Sequence, residues 1–287
     1  MKYLFIQEHR SIFRVEKMCR VFAIARSGYY AWRRREKSIR QKENELLLHT
    51  IKKVYLLNRQ VYGSPRITEE LKAQGFRCGK NRIARLMRRN NVKAKTVKRY
   101  RITTKSNHRL PVAPNIVNRD FTAPAADRLW VSDISYIATR EGWLYLAVIL
   151  DVFSRHVVGW AMSERLYDDL TVDALRQALV RRRPIPGLIF HSDRGSQYAS
   201  GRFRQWLKSY KIRQSMSGTG NCYDNALAES FFHTLKTELT QFERYETRID
   251  ARRSIFEYIE AFYNRVRRHS ALNYKSPLEY ERMAMVA

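Results

Sequence analysis

Cysteine is scarce in this chain. Only Cys19, Cys78 and Cys222 occur, an odd number, far apart and with no C-x-x-C pair. That excludes a disulfide framework and a cysteine-ligated structural zinc site, and the seven histidines do not cluster with them. The usage fits a reducing cytosol. Long apolar runs are also missing. The longest, around "LYLAVIL" (144–150), is too short to span a bilayer, and the N-terminal "MKYLFIQEHRSIFRV" becomes charged too early for a signal peptide. A soluble cytoplasmic protein, with no membrane partner, is the expectation. There is no internal repeat of fixed period and no low-complexity tract.

Acidic residues are in short supply too: 27 Asp and Glu face 55 Lys and Arg, for a net charge of +28. A field of that sign calls for a polyanion, and nucleic acid is the usual one. The imbalance is uneven. Positions 1–110 hold 30 basic and 7 acidic residues, net +23, while the rest of the chain is only +5. The first third is therefore the electrostatic handle for nucleic acid, and the rest must do something else. What is plentiful is apolar and aromatic material, 44% and 12% of 287 residues, enough for a large core and a smaller second domain.

Residues 1–57 read as a basic helical region. In "VEKMCRVFAIARSGYYAWRRR" (15–35) a helix, a break at Ser27 and Gly28 and a second helix make a helix-turn-helix-like pair, followed by a basic helix to about Leu57. Residues 58–95 repeat the plan as a helix-turn-helix DNA-binding domain. Thr68 to Gln74 form a helix stopped by Gly75, and Asn81 to Arg89 a second bearing Arg82, Arg85, Arg88 and Arg89 at three- and four-residue spacing. Few acids are interspersed to pair with these arginines, so they are expected to contact DNA and not merely to solvate a helix face. Residues 96–124, with Pro111, Pro114 and Pro124, read as a basic linker.

After Ala126 the texture changes. "RLWVSDISYIAT" (128–139), "GWLYLAVILDVFS" (142–154) and "RHVVGWAMS" (155–163) are rich in β-branched and aromatic residues and predict a three-strand meander. "DDLTVDALRQALVRRR" (168–183) predicts an amphipathic helix, "GLIF" (187–190) a buried strand, "GRFRQWLKSY" (201–210) a helix and "IRQS" (212–215) a short strand. Strands followed by alternating elements imply an α/β fold with a mixed sheet. The order matches a ribonuclease-H-like core over 125–245, with a helical extension over 246–287.

Three acids stand out on this frame. Asp193, in "HSDRGSQY" (191–198), follows a buried strand, where it either closes a turn or holds a metal ion. Asp133 lies inside the first strand, where an unpaired carboxylate is costly. Glu229 lies in "GNCYDNALAESFFHTLKTEL" (220–239), a helix that Asp224 or Asn225 can cap. On a helical wheel Asn225, His233 and Lys236 fall within about 40° of Glu229, with Leu227, Phe231 and Leu235 toward the other side, so Glu229 and Lys236 are expected to face outward together. The acids are separated by 59 and then 35 intervening residues. Such hard oxygen ligands suit Mg²⁺ or Mn²⁺, and two such ions about 4 Å apart suit phosphodiester chemistry.

Asp133, Asp193 and Glu229 resemble the acidic triad of the retroviral integrase and transposase superfamily. "HSDRGSQY", "GNCYDNALAESFFHTLK" and "FYNRVRRHSALNYKSP" (262–277) resemble the second-reading-frame transposases of the bacterial insertion-sequence family typified by insertion sequence three, and "VYGSPRITEELKAQG" resembles the helix-turn-helix before their core. The resemblance covers nearly the whole chain. It implies a retroviral-integrase-like catalytic core preceded by a small all-α DNA-binding region, with Asp133, Asp193 and Glu229 as catalytic metal ligands and Lys236 as a contact to element-end DNA. It further implies two Mg²⁺ (or Mn²⁺) ions, a homo-oligomer on DNA, and an upstream reading-frame product as fusion or partner. Two departures are small: "DISY" replaces the commoner Asp-Ile-Thr-Tyr, and "VFAIARSGYY" lacks the usual Val-Ser. Unlike retroviral integrases, the chain has no His and Cys set for an N-terminal zinc domain. Asp151, ending the second strand, is a rival carboxylate, but the turn after it explains an Asp there and the family triad does not include it. His191 and His233 fit hydrogen-bonding neighbours of the acids better than ligands. The activity expected is that of a DNA transposase that cleaves at the element's ends and joins strands. The alternatives are a metal-dependent nuclease without strand transfer, and a catalytically inactive DNA-binding repressor.

Overall fold

The computed structural model describes residues 1–95, 110–218 and 225–286. Asp224, Cys222 and residues 96–109 of the basic linker lie outside the described residues. The chain forms two compact units, Met1–Lys53 and Val54–Ala287.

In the first unit, α1 (Lys2–His9), α2 (Val15–Val21) and α3 (Arg26–Arg34) enclose Ile6, Met18, Cys19 and Tyr29. The helix-turn-helix-like pair is present, but its break falls at Phe22–Ala25, where Ala23 takes φ +50°, and Ser27 and Gly28 lie inside α3. The glycine serves packing: a Cβ there would stand 2.7 Å from the Tyr3 hydroxyl. α4 (Ile39–Leu57) continues across the division between the units.

The second unit opens with α5 (Ser64–Ala73) and α6 (Lys80–Arg89). α5 starts four residues before the expected Thr68, because Pro65 suits a first helical turn, where a missing amide costs nothing. Gly75, at φ +87°, ends the chain reversal as expected. These helices lie in the same compact unit as the sheet that follows. Arg66 pairs with Glu238 at 3.2 Å, Arg268 with Glu70, and the Tyr62 hydroxyl accepts from the Arg268 amide at 2.7 Å.

Among the described residues one five-stranded sheet, ordered β3-β2-β1-β4-β5, forms the centre of this unit. β1 (Leu129–Thr139), β2 (Gly142–Asp151) and β3 (Val157–Ser163) are the antiparallel meander, and β4 (Ile189–Ser192) and β5 (Arg213–Met216) add in parallel on the other side of β1. β4 starts two residues later than the apolar "GLIF" suggests, because its pairing runs from Leu129↔Ile189 to Ser132↔Ser192.

α7 (Asp168–Arg182) packs on β3, where Gly159 permits the contact: a Cβ would lie 2.4 Å from the Ala174 carbonyl oxygen. α8 (Ser196–Ala199) and α9 (Gly201–Ser209) supply Tyr198 and Phe203, which join Trp130 and Phe190 in the core. Burying each such side chain is worth roughly 1.5–3 kcal/mol. α10 (Ala226–Leu235) continues into a π-helical turn, Lys236–Thr240. α11 (Arg248–Glu257), opened by a Thr247–Asp250 capping box, runs into a second π turn, Tyr258–Tyr263. Asn264 then pairs like a strand residue with Val157, accepting from its amide at 2.9 Å and donating to its carbonyl at 3.1 Å, which satisfies edge groups of β3. α12 (Pro277–Val286) closes the described chain. Among the described residues no helix is long and apolar enough to cross a membrane.

Candidate active site

The site is set by strand register. β1 and β4 run parallel, and their pairing ends at Ser132↔Ser192, so Asp133 and Asp193 are the next residues on adjacent chains, about 4.8 Å apart by ordinary strand spacing. They emerge at the carboxyl end of β4, beside the centre of the sheet, where α/β sheets commonly bind ligands. The Asp133 Oδ1 accepts from the Ile134 amide at 2.8 Å, and the Asp193 Oδ1 from the Gly195 amide at 2.9 Å. One oxygen of Asp193 thus closes the turn into α8, and its charge acts on the other acids.

α10 brings the third acid. Buried Asn225, at its N-terminus, donates through Nδ2 to the Ser132 carbonyl at 3.1 Å, which pins the helix start beside Asp133. Glu229 follows one turn later, in the first turn of α10. Phe231 and Leu235 are buried, as the wheel suggests. Lys236 shares the face of Glu229 but does not point outward. It is only 9% exposed, and its charge acts on Asp133. The wheel gave the right face and the wrong surroundings, since that face looks at the sheet edge.

The electrostatics tie the acids together. Burial, then the Asp193 carboxylate and more weakly Glu229, raise the Asp133 carboxyl well above the usual range, against the Ile134 amide and Lys236, which lower it. Glu229 is raised by burial and then by Asp193. Like charges held near one another in a desolvated site produce this pattern. Among the described residues, no three His, Cys, Asp or Glu side chains stand close enough to hold a metal ion as they are.

The other candidates separate cleanly. Asp151 pairs with Trp130 across the β1–β2 ladder, and its carboxylate accepts from the amides of Asp127 (2.6 Å) and Ser154 (3.0 Å) and from the Ser154 hydroxyl (3.1 Å). It ties the turn after β2. His191 is fully buried, with Nδ1 2.8 Å from the Ser215 hydroxyl, and His233 is exposed on α10. On α6, Ile83 and Met87 face inward, while Arg85, Arg88 and Arg89 are exposed and Arg82 is half-buried.

Sequence reasoning missed the supports of the acids. The buried Tyr198 hydroxyl lies 2.8 Å from that of Ser132, which donates to the Val148 carbonyl. Burial, then Asp133 and Asp193, push the Tyr198 phenol well up, so it stays protonated. Its signal was in view, at the end of "HSDRGSQY". Asn225 had been read only as a cap, but its place on the Glu229 side of the wheel was the clue to its contact with β1.

Residues 123–222 match the Integrase core domain family and residues 210–277 a second family of the same description, while residues 41–100 match an HTH-like domain. The chain is 43% identical over 283 residues to "Transposase InsF for insertion sequence IS3A" of Escherichia coli (strain K12), covering 98% of each. It is 46% identical over 263 residues to an insertion element IS600 uncharacterized 31 kDa protein of Shigella sonnei, covering 92% of this chain and 97% of that one. Among solved structures, the HTLV-2 integrase catalytic core domain in complex with magnesium is similar to it at 18% identity, over 56% of this chain and 99% of that chain, with a TM-score of 0.45. A five-stranded mixed sheet carrying Asp133 and Asp193 side by side, integrase-core matches over residues 123–222 and 210–277, and 43% identity to InsF over 98% of the chain agree: the chain belongs to the IS3 family of transposases, with an HTH-like region preceding an integrase core domain.

Proposed function

We propose that the chain binds the ends of its insertion sequence and catalyses metal-dependent DNA strand cleavage and strand transfer there, with Asp133, Asp193 and Glu229 as catalytic residues and metal ligands. The observation that carries this reading is the electrostatic coupling of three acids from β1, the end of β4 and α10, with Asp133 raised by both of the others. The donor set fits Mg²⁺ or Mn²⁺: it is all oxygen, and its excess negative charge is what a hard divalent cation relieves. Asp133 and Asp193 are held by strand register and amide hydrogen bonds, and Glu229, in the first turn of α10, would complete the donor set. Two ions held there would activate the attacking oxygen and stabilise the leaving one.

The chain's own residues do the rest by positioning. In cleavage, water attacks phosphorus, the bond to the bridging 3′-oxygen breaks, and that oxygen leaves as a 3′-hydroxyl. In joining, this hydroxyl attacks a phosphorus in a second strand, losing its proton, and the displaced 3′-oxygen gains one. No side-chain nucleophile is needed. The paired hydroxyls of Ser132 and Tyr198 and the Asn225 hydrogen bond hold the acids in place. Lys236 is assigned to element-end DNA at the acids themselves, which its burial beside Asp133 supports. Arg82, Arg85, Arg88 and Arg89 are assigned to the duplex backbone, supported by the exposure of the last three. A homo-oligomer on DNA, working with an upstream reading-frame product as fusion or partner, completes the reading.

The test incubates the protein with labelled element-end duplexes and Mg²⁺. Strand-transfer products are expected. Hydrolysis without joining would leave a nuclease, and binding without either would leave a repressor.

A further inference from the structure

A cavity of about 230 Å³ lies between α10, the end of β2 and the segment after the second π turn; its lining includes Arg66, Arg155, Arg267 and His269, with Ser230 and Thr234 of α10. Three guanidiniums thus meet at one space, and their countercharge is thin. Glu238 is shared: it accepts from Arg267 Nε (2.7 Å) and Nη2 (2.6 Å), from Arg66 Nη1 (3.2 Å) and from the Tyr258 hydroxyl (2.8 Å). Asp151 also lines the cavity; its Oδ1 is engaged by Ser154 in the turn after β2 and its Oδ2 by the Asp127 amide ahead of β1, and its charge acts on Arg155.

Arg155 is the exception among the three. Its Nη1 is buried and has no hydrogen-bond partner among the described residues. Its backbone stands at φ +62°, a conformation that disfavours a long side chain. A charged donor is rarely left in this state in a folded protein, and an ion bound there is one of the ordinary reasons for it. The local field agrees. Burial and the charges of Arg267, Arg66 and Arg155 push His269 down to about 2, so the imidazole adds no charge and can accept from Arg267 Nη1 at 3.2 Å.

We propose that this cavity is an oxyanion site for a phosphate group, held by the guanidiniums of Arg155, Arg66 and Arg267 and by the hydroxyls of Ser230 and Thr234. Planar guanidinium forks match phosphate oxygens in pairs, which favours phosphate over a halide. The occupant is a DNA backbone phosphate or free inorganic phosphate, which share this chemistry. Because Ser230 follows Glu229 on α10, occupancy would also brace the helix that carries the third acid. The site itself rests on no assignment of those acids.

The experiment follows the melting temperature of the full-length protein with inorganic phosphate against chloride at matched ionic strength, for the native chain, Arg155→Asn and Thr234→Val. Asn tolerates φ +62°, so folding is preserved. The native protein should show a saturable rise with phosphate. Arg155→Asn should lose that rise yet melt no lower than the native protein in chloride, since it removes a buried donor that has no partner among the described residues. Thr234→Val should need several-fold more phosphate for half the rise. A second arm repeats the titration with bound duplex. Loss of the phosphate effect, with the salt slope for duplex binding reduced by about 0.9 in Arg155→Asn, identifies a backbone phosphate as occupant. An undiminished effect on the DNA complex identifies free phosphate. A native protein without a saturable rise, or an Arg155→Asn protein that melts lower in chloride and keeps the full response, would overturn the proposal and make Arg155 structural.

Discussion

Glu281→Gln is the perturbation whose size the structure sets most directly. Glu281, on α12, is 4% exposed and lies at the centre of a buried network. It accepts from Ser154 Oγ at 2.6 Å and from Arg182 Nη1 and Nη2 at 2.8 and 2.9 Å, and lies 3.2 Å from His156 Nδ1. Arg182 in turn donates through Nε to Asp127 at 2.9 Å. Burial alone would raise the Glu281 carboxyl, but the hydrogen bonds from His156, Arg182 and Ser154 outweigh it and hold it down to about 2, against an ordinary 4.5. At about 1.36 kcal/mol per pH unit, that depression stabilises the folded state by about 3 kcal/mol at neutral pH. The folded value is the lower one, so this stability is complete above the unfolded value and is lost as pH falls from about 5 towards 2. At pH 3 about 1 kcal/mol should remain. Urea unfolding of native and Glu281→Gln proteins, followed by tryptophan fluorescence, should therefore show a gap of about 3 kcal/mol at pH 7 that narrows to about 1 kcal/mol at pH 3. A gap below about 1 kcal/mol at pH 7, or one unchanged at pH 3, would refute the reasoning.

Glu229→Gln should bind element ends almost as the native protein does while losing cleavage and joining, read by gel shift and strand-transfer assay; full strand transfer would remove Glu229 from the triad. Asn at 193 should abolish metal-dependent activity, whereas Asn at 151, which weakens the turn after β2, should lower thermal stability more than the rate in a folded sample. Equal loss of activity in two well-folded variants would mean that the acids are misassigned. Replacing the exposed Arg85, Arg88 and Arg89 together by Ala should reduce the slope of log K against log salt by about 3, at roughly 0.9 per phosphate contact, and an unchanged slope would move recognition elsewhere. A fragment starting at Val54 should stay folded, while one starting at residue 111 should aggregate. The second cut removes Tyr62, Arg66 and Glu70, the partners of Arg268 and Glu238, and equal solubility of the two fragments would show those contacts to be dispensable.

That last expectation differs from the one the charge distribution invites. Net +23 over positions 1–110 suggests a detachable DNA handle, yet the compact division falls at Lys53 and Val54. Charge reports what a segment attracts, not what it packs against, and Arg66 and Glu70 look like any surface pair until Glu238 and Arg268 arrive from almost two hundred residues away.

Local order in this chain was legible without coordinates. Alternating and β-branched runs marked β1, β2 and β3 to within a few residues, Gly75 marked a helix end, and Asp133 and Asp193 stood out because carboxylates beside buried strands need a reason. Those signals are carried by neighbours in sequence, so they survive when the fold is unknown. Tertiary structure decided the rest. It set the β1–β4 register that puts Asp133 beside Asp193, turned the Glu229 face and Lys236 toward the sheet edge, and gave Asp151 to a turn instead of the acid cluster. It also left one buried Arg155 donor without a partner among the described residues. Each of these depends on pairings between distant segments, and the energy that fixes them, burial against hydrogen bonding in a desolvated interior, exists only once those segments have met.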